Sequence, residues 1–229
     1  MNRFIVTGGF GALGRAVGEA LLAAGAQVAL LDQATSQTGL PAGAVLCGSV
    51  DLCTPVATRL CIDEVAQRFG GLDGIVNVAG GFAWETVEHG DVATWDRMYA
   101  MNVRTALLAS QAALPHLLRQ GQGRIVNVGA MAAGRAQLGM GAYAAAKSGV
   151  ARLTEAMAEE FLDSGITVNA ILPSMIDTPA NRAAMPQADT ARWVDPAALA
   201  AVIMFLLSDA SAAVSGALLP VTVPAQRRH

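Results

Sequence analysis

Short runs of apolar, often β-branched residues alternate along the chain with longer segments whose apolar positions repeat every three or four residues. The short runs are typical of buried strands, and the longer segments are typical of amphipathic helices. Because the strands carry few polar positions, helices are expected to cover both faces of the sheet that they form. The pattern therefore predicts an α/β fold with a seven-stranded parallel sheet, doubly wound in the Rossmann manner.

The boundaries of the predicted elements follow from the apolar runs and from the turn residues between them. The strands are expected at 3–6, 27–32, 44–52, 72–81, 123–130, 165–173 and 216–223. The helices are expected at 11–25, 55–69, 94–119 and 143–162, with a further helix beginning at Pro196. Thr54 and Asp195 can cap a helix start, and each precedes a proline, a residue that is tolerated at the first position of a helix. The long helix at 94–119 is expected to bend at Pro115.

No break in composition and no repeat divides the chain, so residues 1–229 are predicted to form a single domain. The segment Ser174–Trp193 fits neither the strand period nor the helix period, and we expect it to be a mobile substrate lid. Its Arg182 and Arg192 either meet a polar or anionic substrate or are solvated surface charges.

Composition narrows the classes of protein to consider. Apolar residues make up 53% of the chain and charged residues 14%, which allows a large core and suggests apolar surface between subunits. The net charge of −3 argues against a nucleic-acid partner. Three cysteines without a C-x-x-C pair indicate reduced thiols in a cytoplasmic protein. The apolar run at 197–208 is shorter than the about 20 residues that cross a bilayer, and the scattered histidines predict no metal site.

A glycine-rich turn follows the first predicted strand and opens the first helix. Gly9, Gly11 and Gly14 match the spacing G-x-G-x-x-G. Glycines in such a turn let the backbone approach a diphosphate, while the start of the helix offers free N–H groups and the positive end of its dipole. The spacing alone is a weak signal, but its place between a strand and a helix predicts a dinucleotide site.

The second predicted strand ends at an acidic residue, Asp32. A carboxylate at this position accepts hydrogen bonds from a ribose 2′-hydroxyl and repels a 2′-phosphate. Gln33 and Ala34 follow it, and Gly11 in the turn is also uncharged, so no adjacent cation would compensate. The predicted cofactor is therefore NAD(H) rather than NADP(H).

Tyr143 and Lys147 are four residues apart on a predicted helix, which places both side chains on one face. Free tyrosine has a pKa of about 10, and we expect the neighbouring ammonium to lower the pKa of Tyr143. Such a tyrosine can donate a proton to a substrate oxygen or nitrogen as hydride arrives, or accept one in the reverse reaction. A Y-x-x-x-K pair is common by chance, but behind a dinucleotide-binding turn it indicates an oxidoreductase.

With these motifs, nearly the whole chain resembles the short-chain dehydrogenase/reductase family. "TGGFGALG" at 7–14 is similar to the family's T-G-x-x-x-G-x-G turn, with Ala12 in place of the middle glycine. "NVAG", which begins at Asn77, is similar to the family's N-N-A-G segment, which steadies the central sheet. "PSMIDT", which begins at Pro173, resembles P-G-x-x-x-T with Ser174 in place of the glycine.

The resemblance implies roles for individual residues. Tyr143, Lys147 and Asn102 would be catalytic, with Lys147 holding the ribose and Asn102 holding a water of the proton relay. Asp51 would contact the adenine, and Thr178 would meet the nicotinamide carboxamide. The full set of expected cofactor contacts is Gly8, Gly9, Phe10, Gly11, Leu13, Gly14, Asp32, Asp51, Leu52, Asn77, Ala79, Gly80, Tyr143, Lys147, Pro173, Ile176 and Thr178.

One position departs from the family pattern. The family's serine, which polarises the substrate carbonyl, falls at Ala130, which carries only a methyl group. Loss of such a donor costs about 10²–10³ in rate, which weakens the case for an ordinary alcohol dehydrogenase. The quinonoid dihydropteridine reductase branch also lacks this serine, and it resembles the chain in "GGFGALG", "VAGG", "GAMAA" and above all Asp177–Trp193. Asn102, in contrast, matches the wider family and not that branch.

Two classes of function remain open. The first is an NAD(H)-dependent oxidoreductase that acts on a small carbonyl or alcohol, or on a conjugated imine-like substrate as dihydropteridine reductases do. The second is a catalytically silent NAD-binding sensor or partner subunit, which Ala130 would suit. The presence of Tyr143, Lys147 and Asn102 together favours the enzyme. The resemblance also implies a homodimer or homotetramer formed through apolar outer faces of the two long central helices.

Overall fold

In the computed structural model, seven strands form one parallel sheet through the centre of the molecule. The structure describes residues 1–35 and 38–223, so 36–37 and 224–229 of the predicted domain lie outside the described part. The strands are β1 Arg3–Thr7, β2 Gln27–Leu31, β3 Val45–Cys47, β4 Gly74–Asn77, β5 Gly123–Val128, β6 Ile166–Pro173 and β7 Leu218–Val221. Their order is β3-β2-β1-β4-β5-β6-β7. The strand order therefore reverses between β1 and β4, and their carboxyl ends flank a crevice suited to a ligand.

Helices cover both faces of this sheet. They are α1 Ala12–Ala23, α2 Pro55–Phe69, α3 Val92–Tyr99, α4 Thr105–Gln120, α5 Gly141–Glu160, α6 Pro179–Ala184 and α7 Pro196–Leu207. On one face, α1 and α7 pack over side chains such as Phe4 and Val6. On the other face, α2, α4 and α5 pack over side chains such as Ile5, Ile75 and Ile125. Alternate residues of β1 thus enter opposite cores, which confirms the predicted doubly wound α/β fold.

The long helix predicted at 94–119 is present as a continuous helical segment, but a π turn inside it was not predicted. The chain forms α3, then one π-helical turn at Ala100–Arg104, then α4. Pro115, the expected site of a bend, lies inside α4, and the regular helix is interrupted before it. Hydrogen bonds in a π turn skip one additional residue, and such turns are frequent at functional sites. The turn contains Asn102. The spacing of apolar residues did not predict this π turn, because the helical period continues on both sides of it.

The third strand is much shorter than the predicted range 44–52. It covers only Val45–Cys47, after which the chain turns at Gly48 and Ser49. A Cβ at Gly48 would clash with the carbonyl oxygen of Thr35, and Ser49 has a φ of 59°, in the left-handed region. Packing against the loop after β2 therefore ends the strand, and a local apolar pattern cannot indicate such a contact.

The segment Ser174–Trp193 contains more regular structure than its lack of a period predicted. Thr178 begins α6 as its N-cap, and its hydroxyl oxygen accepts a backbone N–H of the first turn at 3.1 Å. A 3₁₀ turn follows at Thr190–Arg192. The N–H of Asp177 donates to the carbonyl of Val194 at 2.9 Å, so the two ends of the segment lie side by side. Its mobility and its role as a lid stay predictions.

Candidate active site

The glycine-rich turn connects the carboxyl end of β1 to α1, beside the point where the strand order reverses. Gly8 has a φ of 62°, and a Cβ there would lie 2.8 Å from the backbone nitrogen of Ala79. A Cβ at Gly14 would clash with the carbonyl oxygen of Gly8, so α1 can approach the turn only without a side chain there. No side chain caps α1 at Gly11, and no acidic residue lies in its first turn. Its N–H groups and positive dipole end are therefore available to an anion.

Asp32 joins the glycine-rich turn to the loop after β2. Its Oδ2 accepts the N–H of Phe10 at 3.0 Å, and its Oδ1 accepts the N–H of Ala34 at 3.0 Å. A carboxylate offers about four acceptor positions, so each oxygen retains capacity for a ribose hydroxyl. The bare glycine turn, the uncapped helix start and this carboxylate together fit a nicotinamide dinucleotide.

Several predicted cofactor residues direct their side chains elsewhere. Phe10, Leu13 and Leu52 are buried among core side chains. A contact of these three residues with the cofactor would therefore run through the backbone, and such contacts stay predictions.

Asn77 and Asp51 are also engaged within the fold. Asn77 Nδ2 donates to Ser110 Oγ at 2.9 Å and to Asn127 Oδ1 at 2.8 Å, so it ties β4 to α4 and β5. This arrangement agrees with the steadying role that the family resemblance implied. Asp51 Oδ2 accepts the hydroxyl of Thr54 at 2.9 Å in the turn before α2. Direct contacts of both residues with the cofactor stay predictions.

Tyr143 and Lys147 share one face of α5, as their spacing predicted. Lys147 Nζ lies 5.9 Å from the centroid of the Tyr143 ring. The lysine is 5% exposed, and its Nζ donates to the carbonyl of Val128, the last residue of β5, at 2.8 Å. Phe82 meets the Tyr143 ring edge-on, with 5.0 Å between centroids and an interplanar angle of 81°. The tyrosine ring is thus close to both a buried lysine and an aromatic ring.

The predicted lowering of the Tyr143 pKa is wrong. Burial raises the pKa of Tyr143 to about 12, because the phenolate would lose its hydration. Burial likewise lowers the pKa of Lys147 to about 8. Desolvation of both groups outweighs the attraction between ammonium and phenolate across the observed separation. At neutral pH Tyr143 is therefore a protonated phenol, which is the form that donates a proton.

Asn102 lies in the π turn and is 1% exposed. Its Nδ2 donates to the carbonyls of Met98 at 2.9 Å and Gly81 at 3.1 Å, and its Oδ1 accepts the N–H of Gly81 at 3.2 Å. A Cβ at Gly80 would lie 2.6 Å from Asn102 Oδ1 and 3.4 Å from Lys147 Nζ. The structure therefore brings Asn102 and Lys147 together at the segment after β4, beside the position that a side chain at Gly80 would occupy.

The position assigned to the family's serine is apolar and buried. Ala130 is 6% exposed and has extended backbone, with φ of −162° and ψ of 155°. A 3₁₀ turn follows it, and Ser148 Oγ of α5 donates to the carbonyl of Ala133 in that turn at 2.7 Å. This bond fixes the segment that carries Ala130 to the helix that carries the tyrosine. The register with the family's serine stays a prediction.

The sequence interpretation missed two aromatic residues after β4. Phe82 and Trp84 are 56% and 60% exposed, although Phe82 contacts Tyr143. A Cβ at Gly139 would clash with the Trp84 indole, and the N–H of Glu85 donates to the Gly139 carbonyl at 2.8 Å. The loops that follow β4 and precede α5 therefore pack together. A signal existed in "GGFAWE", where two aromatic residues stand close together in a chain with only 5% aromatics.

Several polar side chains of the lid segment are engaged within the fold, whereas the buried Ser174 Oγ has no hydrogen-bond partner among the described residues. Asn181 Nδ2 donates to the carbonyl of Ile176 at 2.8 Å, and the Thr178 hydroxyl oxygen serves α6. Arg182 makes two hydrogen bonds to Asp177, one of them 2.7 Å long, and this pairing lowers the pKa of Asp177. Of the two readings for Arg182, the paired guanidinium favours a surface charge over a substrate anchor.

Two further properties concern residues 1–35 and 38–223, the part of the chain that the structure describes. No group of three or more His, Cys, Asp or Glu side chains in these ranges could hold a metal ion. Within the same ranges, no helix combines the length and the apolar content that crossing a bilayer requires.

The known proteins that match this chain include two named dehydrogenases. It is 34% identical over 236 residues to 2-(S)-hydroxypropyl-CoM dehydrogenase 3 of Xanthobacter autotrophicus, with 93% of this chain and 91% of that protein covered. It is 35% identical over 184 residues to the D-beta-hydroxybutyrate dehydrogenase of Rhizobium meliloti, with 76% and 71% covered.

A solved structure and a family model agree with these relatives. A short-chain type dehydrogenase/reductase from Mycobacterium ulcerans superposes with a TM-score of 0.87 at 28% identity, covering 96% of this chain and 88% of that one. The family model described as short chain dehydrogenase matches residues 2–189. The chain therefore belongs to the short-chain dehydrogenase family and is an oxidoreductase.

Proposed function

We propose that this oxidoreductase uses NAD(H) to interconvert a small carbonyl compound and its alcohol, with Tyr143 as the acid and base. One observation carries the proposal: Lys147 and Asn102 meet at Gly80, and the Tyr143 ring lies 5.9 Å from Lys147 Nζ. Gly80 lies in the segment after β4, Asn102 in the π turn, and Tyr143 and Lys147 on α5. The segment after β4 also packs against the glycine-rich turn at Gly8. This is the edge of a doubly wound sheet at which ligands bind.

The family uses nicotinamide cofactors, and the turn at Gly8–Gly14 with Asp32 would hold the dinucleotide. When bound, NADH supplies hydride to the carbonyl carbon, and NAD⁺ accepts hydride from the alcohol carbon in the reverse reaction. Thr178 and Ile176 would border the nicotinamide end by resemblance to the family. Lys147 has three N–H donors, of which one is used on Val128, so others remain for a ribose.

The residues of the chain would supply the proton and its path. Tyr143, protonated at neutral pH, donates its hydroxyl proton to the substrate oxygen in the direction of reduction. Once the phenolate forms, the Lys147 ammonium stabilises it by charge attraction, which becomes stronger away from water. Asn102 holds the segment after β4 in place through Gly81, and by resemblance it belongs to the relay that reprotonates the tyrosine.

Two side chains would constrain the substrate chemistry. Phe82 packs an apolar ring against Tyr143, and Ala130 carries a methyl group at the position where the family resemblance places a serine. The two relatives named above carry hydroxypropyl and hydroxybutyrate substrates in their names. These observations favour a small carbonyl or alcohol whose polarisation depends on Tyr143, without a second hydroxyl donor.

Selection of NAD(H) over NADP(H) is expected to depend on Asp32. Asp32→Asn retains one acceptor for the Phe10 N–H but removes the charge that repels a 2′-phosphate. We expect the dissociation constant of NADPH to fall by about tenfold and that of NADH to rise. Fluorescence titration of both cofactors measures this, with Glu19→Gln on the exposed side of α1 as the charge control. Tighter binding of NADPH than of NADH by the unmodified protein would refute the assignment.

Ala130→Ser tests whether this position faces the substrate oxygen. The added hydroxyl is expected to raise kcat/KM for simple ketones by about tenfold or more, since one such donor is worth about 10²–10³ in rate. Steady-state kinetics on ketones would measure the change, and Ala132→Ser in the same turn controls for a hydroxyl nearby. An unchanged ketone profile would mean that the serine position has been assigned to the wrong residue.

Turnover itself is the test of the proposed function. NADH oxidation should be measured against a panel of small ketones, quinones and a quinonoid dihydropterin. Reduction of at least one carbonyl compound supports the proposal. Tight NADH binding without turnover of any compound would instead support the silent sensor or partner subunit.

A second candidate is a dihydropteridine reductase activity. The observation that favours it is the buried methyl group of Ala130, because a conjugated ring accepts hydride without a hydroxyl that polarises an oxygen. Turnover of the quinonoid dihydropterin alone, among the panel compounds, would select this activity over carbonyl reduction.

Assembly into a homodimer or homotetramer also belongs to the proposal. Trp95 and Tyr99 of α3 are 42% and 49% exposed, and they border a shallow depression over the small side chains Ala142 and Ala145 of α5. Exposed aromatic rings next to alanines are suited to a second subunit. Light scattering on the purified protein would give the subunit number. A cytoplasmic location stays a prediction.

A further inference from the structure

Two aromatic side chains near Tyr143 remain largely in solvent. Phe82 and Trp84 are each more than half exposed, and both lie in the segment that follows β4. Large apolar side chains that stand together on a protein surface mark ligand-binding grooves or contact sites. These two stand next to the proposed proton donor. The Phe82 ring contacts the Tyr143 ring, and Trp84 packs against Gly139, four residues before Tyr143.

Hydrogen bonds fix the backbone that carries both rings. Directly before Phe82, the N–H of Gly81 donates to Asn102 Oδ1 at 3.2 Å, and the carbonyl of Gly81 accepts Asn102 Nδ2 at 3.1 Å. At the other end of the segment, the N–H of Glu85 donates to the carbonyl of Gly139 at 2.8 Å. Because the backbone is already ordered, a ligand that packs against these rings pays little of the entropy of ordering a loop.

Other side chains packed around Tyr143 are apolar as well. Tyr143 packs against a small buried cluster that includes Met98, and Ala83 and Met101 pack against the same cluster. Met101 also lies against Gly81, where a Cβ would be 2.8 Å from the Met101 methyl group. A substrate whose oxygen reaches the Tyr143 hydroxyl therefore meets apolar side chains beside it. Such a lining suits an apolar substituent on the substrate.

The charges of the segment after β4 disfavour an anionic substituent. Residues 80–91 include three acidic residues and no lysine or arginine. The buried Glu85 Oε2 has no hydrogen-bond partner among the described residues. An anion beside Phe82 would therefore meet negative charge without a cation from the same segment. Between β5 and α5 the sequence has one cation, Arg135, which is exposed and would be the anchor of an anionic substrate on that side.

We propose that Phe82, with Trp84 beside it, determines substrate specificity, and that the site takes neutral carbonyl compounds with an aryl substituent and disfavours anionic ones. This specificity rests on the proposed function, because it gives that reaction a class of substrate. The carbonyl oxygen lies at the Tyr143 hydroxyl, and the aryl group packs against Phe82. Aromatic rings in contact add a favourable term beyond the area they bury, and more than half of Phe82 is available for such a contact.

Steady-state kinetics with matched ketones would test the specificity. The unmodified enzyme should reduce 4-phenyl-2-butanone with a kcat/KM at least about tenfold above that for 2-butanone. Phe82→Ala should remove most of this preference, through KM rather than kcat. Because the preference is a ratio measured within one variant, a general loss of activity cancels. Phe205→Ala, at an exposed phenylalanine on α7, should leave the preference unchanged.

Three results would overturn the specificity. The first is an unmodified enzyme without the aryl preference, and the second is a preference that Phe82→Ala leaves intact. The third is a higher kcat/KM for 4-oxopentanoate than for 2-hexanone, a neutral ketone of similar size. That result would indicate an anionic substrate, with Arg135 as its anchor.

Binding of 3-phenylpropanamide would separate this specificity from the proposed function. The amide has the shape of 4-phenyl-2-butanone, but its resonance makes it a poor acceptor of hydride. In calorimetric titrations with NADH present, Phe82→Ala should raise its dissociation constant by about tenfold, and Phe205→Ala should not change it. If no ketone turned over while the amide bound in this way, the proposed function would fail and the aryl site would stand. If ketones turned over while amide binding did not depend on Phe82, the aryl site would fail and the function would stand.

Discussion

Tyr143→Phe is expected to lower kcat for carbonyl reduction by about three orders of magnitude, within the range attributed to one general acid. The substitution retains the ring that Phe82 contacts edge-on, and it removes only the hydroxyl that gives its proton to the substrate. NADH binding should change little, because the glycine-rich turn and Asp32 are untouched. Steady-state kinetics with a saturating ketone, together with NADH titration, measure the two effects separately.

The chain contains a natural control for this experiment. Its only other tyrosine is Tyr99, which is half exposed on α3. Tyr99→Phe removes the same hydroxyl group elsewhere and should leave kcat unchanged. Full activity of Tyr143→Phe would show that the tyrosine is not the proton donor. The site would then lack both the serine function and the tyrosine function of the family.

Gly14→Ala should have the second large effect, on folding and on cofactor binding together. A Cβ there would clash with the carbonyl oxygen of Gly8 and lie 2.7 Å from the Cα of Gly9. Both contacts are with backbone, which cannot rotate away, so α1 would have to move off the turn. We expect a loss of about 3 kcal/mol in the free energy of unfolding and no measurable NADH binding. Urea denaturation and cofactor titration measure these quantities.

Gly11→Ala is the matched comparison within the same turn. Among the described residues beyond its chain neighbours, the nearest atom to a Cβ at Gly11 is the carbonyl oxygen of Gly8, at 3.4 Å. The backbone at Gly11 is extended, with φ of −75°. Alanine fits this position, so the free energy of unfolding should fall by less than about 1 kcal/mol. If the two substitutions lowered the free energy of unfolding equally, the backbone clash at Gly14 would not be the cause of the loss.

Local patterns in the sequence were sufficient for the sheet and for the arrangement of motifs along it. The apolar runs of β1, β4 and β5 predicted buried parallel strands, because a strand covered on both faces excludes polar residues. The spacing of Tyr143 and Lys147 predicted a common helix face, because helical geometry depends only on neighbouring residues. The early end of β3, in contrast, depends on Thr35 and could not be predicted from the strand's own residues.

The protonation states of the site residues also could not be predicted from the sequence. The pair Tyr143 and Lys147 predicted an acidic phenol, yet burial raises the pKa of that phenol to about 12. Burial is a property of everything packed around a group, including Phe82, which lies far from Tyr143 along the chain. The π turn at Asn102 likewise could not be predicted from the local pattern.

The sequence by itself determined the fold class, the family and the residues that approach the carboxyl edge of the sheet. These follow from backbone periodicity and from the order of motifs, both of which are local. Only the tertiary structure decided which protons the site holds, where a π turn enters the long helix, and where the third strand ends. Those properties arise from desolvation and from contacts between elements distant in the chain, and no stretch of sequence contains that information alone.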